Sequence, residues 1–269
     1  MALPLIARPT PTRSLTSVFV FWAAYVAILV GASFDFGVLP PQWSRLGWGV
    51  GSSIALLLLT LAMVRREGRR LGDVGIAIGP RSVPHFLLGA VIGFATYALN
   101  VAVLAFVVGG LRLTPVSNIN WSGGALTLGT VLALSCAEEL GFRGYPLRTL
   151  VPQLGTWTAQ ALVAVAFTLT HVLYGWSWDG LVFGVLPSAF LFGAAALASG
   201  GLAMPIGLHM SVNATRWALG ERGGESFFTM VVDQSTRVRM ECVAPVTGIA
   251  ITLGMAAMLW WYRRKRWPL

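Results

Sequence analysis

Apolar stretches of about 20 residues recur along the whole chain, and a chain built this way has few folds open to it. Inside a bilayer every backbone N–H and C=O needs a partner, so only helices and closed barrels span it. The stretches here are continuously apolar rather than alternating, which is the pattern of helices. Candidate spans lie near 15–33, 46–64, 84–109, 125–147, 156–175, 179–199, 201–219 and 244–262. The fold expected is therefore an all-α, polytopic transmembrane helix bundle of about eight spans. Seven is the alternative count, because 179–219 is one apolar tract broken mainly by Ser199-Gly200-Gly201. Composition agrees, with 56% hydrophobic and 11% charged residues and a mean hydropathy of +0.73. A soluble domain carries about 25% charged residues.

The net charge of +9 does not read as a nucleic-acid footprint, because the cations flank spans. Arg65, Arg66, Arg69, Arg70 and Arg81 fall between the second and third spans, and Arg263, Arg264, Lys265 and Arg266 follow the last. Eight spans with a cytoplasmic N-terminus put these clusters, with Arg8, Arg13, Arg143 and Arg148, on the inner side, as the positive-inside rule requires. The topology expected is N-in, C-in, in a prokaryotic cell membrane. The loop 220–243 is expected outside, where Arg222, Arg237 and Arg239 are balanced by Glu221, Glu225, Asp233 and Glu241.

Residues 1–14 contain several prolines and precede a full-length span with no small-residue cleavage pattern, so the first span is expected to be retained. Cys136, in a span, and Cys242, in an outer loop, are not expected to pair. Gly47-x-x-x-Gly51 and Gly89-x-x-x-Gly93 read as close-packing positions between helices. Trp121, Trp157, Trp176 and Trp178 near span ends read as interface anchors, and Trp260-Trp261-Tyr262 before the last basic run likewise. The organisation expected is N-terminal helices over 1–124 with a cytoplasmic linker at 65–83, a core over 125–220, and an outer loop with a last span over 221–269.

Function should sit where polar groups interrupt the apolar runs. An ionisable side chain near the bilayer centre costs about 2.5–3.5 kcal/mol on insertion scales. Three stand together in Glu138-Glu139-Leu140-Gly141-Phe142-Arg143. Glu139 and Arg143, four apart, share a helix face and can pair. Glu138 is turned about 100° away and is left without a local partner. His171 ends Phe167-Thr168-Leu169-Thr170-His171, and His209 and Asn213, again four apart, offer donors to one spot. His85 at a span start reads as interfacial, Asn100 as interhelical glue, and Cys136 as packing. Arg216, seven residues after His209, either snorkels outward or joins the site. Together Glu138, His171, His209 and Asn213 supply a general base, a water-positioning partner and hydrogen-bond donors, a set suited to hydrolysing a carbonyl compound.

These motifs resemble the type II CAAX prenyl endopeptidases and their bacterial relatives, the CAAX protease and bacteriocin-processing (Abi) proteins. The family pattern is Glu-Glu-x-x-x-Arg, Phe-x-x-x-His and His-x-x-x-Asn, in that order on separate helices. Glu138-Glu139-x-x-x-Arg143, Phe167-x-x-x-His171 and His209-x-x-x-Asn213 fit it without departure, over about 125–220. The resemblance implies an intramembrane glutamate-type endopeptidase acting on membrane-associated, CAAX-like proteins. It assigns Glu138 and His171 to activating water, His209 and Asn213 to the oxyanion hole, and Glu139, Arg143 and Phe167 to support. No cofactor is implied. A zinc site built from Glu138, His171 and His209 is the nearest rival, though no His-Glu-x-x-His spacing exists. The others are a non-catalytic immunity or scaffold protein of the same family, and a proton-coupled transporter, which a repeated half-structure would favour.

Overall fold

The computed structural model describes residues 11–35, 38–221 and 225–266; Arg8 and Arg222 of the expected charge pattern lie outside these. The chain runs through α1 (Pro11–Asp35), α2 (Pro41–Arg66), α3 (Ser82–Val108), strand β1 (Leu111–Pro115), α4 (Trp121–Glu139), α5 (Tyr145–Leu154) and α6 (Thr156–Thr170). It continues through α7 (Leu186–Ser199), α8 (Ala203–Ala218), strand β2 (Phe228–Val232) and α9 (Arg237–Arg266). Among the described residues, seven stretches are long and apolar enough to cross a membrane, which makes this an integral multi-pass protein. Large apolar side chains such as Phe94, Phe106 and Val246 lie exposed on its flanks, where they meet lipid.

The seventh span read from the sequence, 201–219, is α8, whose 16 residues cover about 24 Å, short of the roughly 30 Å hydrocarbon core. It still joins the same two ends of the bundle as its neighbours. At one end Leu202 N donates to the Gly75 carbonyl at 3.1 Å; at the other, Phe227 N donates to the Ala218 carbonyl at 3.1 Å. Close packing against α3 holds it: a Cβ at Gly89, Gly93 or Gly207 would run into the carbonyl of Met204, Leu208 or Phe86 respectively. In α2 the close approach is made by Gly49, against Ala133 and Leu134 of α4. Asn100 of α3 lies beside Gly248 of α9.

The two ends differ. One gathers the segment after α2, the end of α5 and the turn before α8, tied by Arg69 Nη1 to Thr149 Oγ1 at 2.9 Å and Arg148 Nη2 to the Ala196 carbonyl at 2.6 Å. The other carries an antiparallel β1–β2 pair, with Leu111 opposite Val232 and Pro115 opposite Phe228. Two five-residue strands so far apart in sequence leave no hydropathy signal.

Among the described residues, two π-turns interrupt the helices. Leu140–Gly144 links α4 to α5, and Gly180–Val185 leads into α7. Such widened turns release backbone groups from the regular ladder. The Gly141 carbonyl accepts from the Trp22 indole at 3.2 Å, and the Tyr25 ring fills the space beside Gly141. From α1 inward an aromatic column passes through Phe21 on Tyr145, Tyr25 on Phe142, and Phe142 on Phe167, with centroids 5.0–5.2 Å apart. It ends under the polar cluster.

Candidate active site

Glu138 and Glu139 close the last turn of α4, immediately before the first π-turn. The helical period sends them apart as the spacing requires. Glu139 is completely buried, and its Oε1 meets Arg143 Nη1 at 3.2 Å and His209 Nδ1 at 2.9 Å. Arg143, also completely buried, donates through Nη2 to the Ala189 carbonyl at 3.1 Å and lies over the Phe167 ring, 4.2 Å from its centroid. The cation is thus held by a carboxylate, a carbonyl and an aromatic face.

Glu138 keeps 16% of its side chain accessible and faces a cavity of about 410 Å³. Its Oε2 has no protein hydrogen-bond partner among the described residues and stands 3.6 Å from His209 Nε2. His209 therefore lies between the two glutamates, one ring nitrogen toward each. Phe192 of α7 stacks flat on its imidazole, with centroids 4.3 Å apart and an 18° tilt. Sequence reasoning missed Phe192, since one more phenylalanine in an apolar helix carries no signal.

His171 caps α6, and its Nδ1 is 2.9 Å from the Phe167 carbonyl. A carbonyl only accepts, so Nδ1 carries the proton and Nε2 is left as an acceptor. Phe167, at 4.7 Å from the His171 ring, fixes its position from below. Glu138, Phe167, His171, His209 and Asn213 all line the one cavity; Glu139 and Arg143 lie behind it. Arg216 also lines it while its Nε pairs with Glu221 at 3.0 Å. Trp176, expected at the membrane interface, instead lines the cavity and sits edge-on to His171 at 5.7 Å. The turn after α6 folds it inward, which composition at a span end does not reveal. Cys136 is free and partly buried, and Cys242 is free and exposed. Among the described residues, no group of three His, Cys, Asp or Glu side chains converges closely enough to hold a metal ion.

Residues 120–215 match the family model described as Rce1-like, that of the type II CAAX prenyl endopeptidase Rce1-like proteins. In this stretch the chain is similar to the Rce1-like proteins. The stretch begins at the cap of α4 and ends in the last turn of α8, so Glu138, His171, His209 and Asn213 lie within it, while Arg45 and Arg216 of the cavity wall do not. The Rce1-like family is one of proteases acting on membrane-associated proteins. No curated protein matches the chain.

Proposed function

We propose that the chain is an intramembrane endopeptidase of the glutamate type, which cleaves peptide bonds of membrane-associated proteins, CAAX-like chain ends included. The observation that carries this reading is the division of labour between the two glutamates. One is sealed against Arg143, and the other faces the cavity with no hydrogen bond to its Oε2 from the described residues, beside a histidine acceptor and 3.6 Å from a second histidine.

In this reading a water lies between Glu138 and His171 Nε2. Glu138 takes one of its protons as the hydroxyl oxygen bonds to the scissile carbonyl carbon, and His171 accepts a hydrogen bond from the remaining hydrogen. His209, as imidazolium, donates through Nδ1 to Glu139 and through Nε2 to the oxyanion, which Asn213 meets with its amide. The proton held on Glu138 then passes to the leaving nitrogen as the C–N bond breaks, and the carbonyl re-forms. Losing one oxyanion donor of this kind costs about 10²–10³ in rate. Glu139 and Arg143 orient His209, and Phe167 and Phe192 fix the two imidazoles.

The test compares detergent-purified wild type with Glu138→Ala on membrane proteins and a quenched prenyl-peptide panel, each with and without a zinc chelator. The expected result is cleavage by wild type, unchanged by chelator and absent in the variant. Loss on chelation, restored by zinc, replaces this mechanism with a metal-dependent one. Equal behaviour of two folded proteins makes the chain a binding or immunity factor.

A further inference from the structure

The cavity at Glu138 has a closed end and an open one. Toward the end of the bundle that holds the turn before α8, it is sealed by Phe142, Arg143 and Tyr145, all completely buried, with Leu202 against Gly144. Toward the β1–β2 end a second hollow of about 1010 Å³ adjoins it, and the two share Arg45, Val131 and Leu134 as walls. The second hollow follows α4 back through Thr130, Thr127 and Ser122 to the rim, where Asn120 Nδ2 donates to Glu225 Oε1 at 2.6 Å. Taken end to end as one trough, the two hollows follow α4 from the β1–β2 rim to Glu138. Seventeen helical steps lead from Trp121 to Glu138, so the trough is about 26 Å long, the span of about eight residues of extended chain.

Its lining fits such an occupant. An extended peptide at membrane depth leaves its backbone groups without partners unless protein supplies them. The trough offers Arg45 and Thr127 between apolar residues, while at the rim Asn120 and Ser122 are hydrogen-bonded to each other and Asn120 to Glu225. Arg45 makes no ion pair among the described residues.

The distribution of charge tells which membrane face the rim occupies. Among the described residues, eleven basic residues fall at the sealed end by their place in the helices, Arg13, Arg65, Arg66, Arg69, Arg70, Arg81, Arg148 and the run Arg263–Arg266, against Glu67 and Asp73. The β1–β2 end carries five, Arg45, Arg112, Arg216, Arg237 and Arg239, against six acids. By the positive-inside rule the sealed end is cytoplasmic.

From this geometry we propose that the trough admits an extended peptide segment to Glu138 from the exofacial side, so that the substrates are exported or exofacially exposed segments of membrane-associated proteins. This rests on the endopeptidase reading for what happens at Glu138, but not for the route or the face.

The test uses the full chain with Glu138→Gln, Cys136→Ala and Cys242→Ala, and one added cysteine. Thr127→Cys stands in the trough; Gly72→Cys stands at the sealed end, exposed, with open space around it and no left-handed backbone. In right-side-out vesicles a membrane-impermeant maleimide should label T127C and spare G72C, and inverted vesicles should reverse this. A degenerate library of peptides about ten residues long should slow labelling of T127C about threefold at twice its Kd, and a tripeptide library should not. Labelling of T127C only in inverted vesicles, or no protection by the long peptides, overturns the proposal. Because Glu138→Gln removes turnover, protection without any cleavage by the parent chain would overturn the endopeptidase reading alone.

Discussion

Glu138 and Glu139 are adjacent in sequence, yet what surrounds them sends them to different tasks. Glu139 is enclosed by Arg143 and His209, and Arg143 has no route to water. Removing one member of such a pair leaves a buried charge uncompensated, which costs about 3–5 kcal/mol. Arg143→Met should therefore lower stability by that amount, read as a fall in the tryptophan-fluorescence unfolding midpoint in detergent. Glu138→Gln should lower the midpoint far less than Arg143→Met, since that carboxylate is partly accessible and loses only the 3.6 Å approach to His209, while cleavage falls about 10²–10⁴-fold as expected for a missing general base. Equal destabilisation by both variants would mean that Glu138 is structural. The separation of the two glutamates was legible in the sequence, because the helical period alone decides it. Phe192 and Trp176 were not, because their places depend on how α7 and the turn after α6 fold back over the histidines.

At the level of elements, α8 carries His209 and Asn213 and is positioned by three glycines at its crossing with α3. A side chain at Gly89 would meet the Met204 carbonyl, and backbone does not yield as a flexible side chain would. Overpacking of this kind costs about 1–3 kcal/mol. Gly89→Val should push α8 outward, lowering both the unfolding midpoint and cleavage, whereas Gly31→Ala, with open space around the new methyl, should change neither. If Gly89→Val retains full cleavage, α8 is not held by this contact. The Gly89-x-x-x-Gly93 spacing announced close packing, and hydropathy placed most of the spans. The shortness of α8 was hidden by the single apolar tract 179–219, and the π-turn at Leu140–Gly144 has no signature in residue type. What the sequence shows there is only its glycines, one of which receives the Tyr25 ring.

For the whole molecule, orientation follows from charge that is distributed over the sealed end rather than concentrated in one loop. Basic residues there come from α1, the segment around Arg65–Arg81, α5 and the end of α9, while the β1–β2 end is close to neutral. Each basic side chain near an anionic membrane surface contributes about 1 kcal/mol, so no one cluster decides the outcome. Alkaline phosphatase inserted after Glu221 should accordingly be active, and inserted after Gly72 inactive. Replacing Arg65, Arg66, Arg69 and Arg70 together by Gln should preserve that contrast, because Arg148 and the Arg263–Arg266 run stay on the same side. Replacing Arg263, Arg264, Lys265 and Arg266 as well should produce a mixed population, with phosphatase activity appearing at Gly72. A full inversion on loss of the first cluster alone would show that the segment after α2 fixes the topology by itself, and the exofacial face of the trough would then depend on those four arginines.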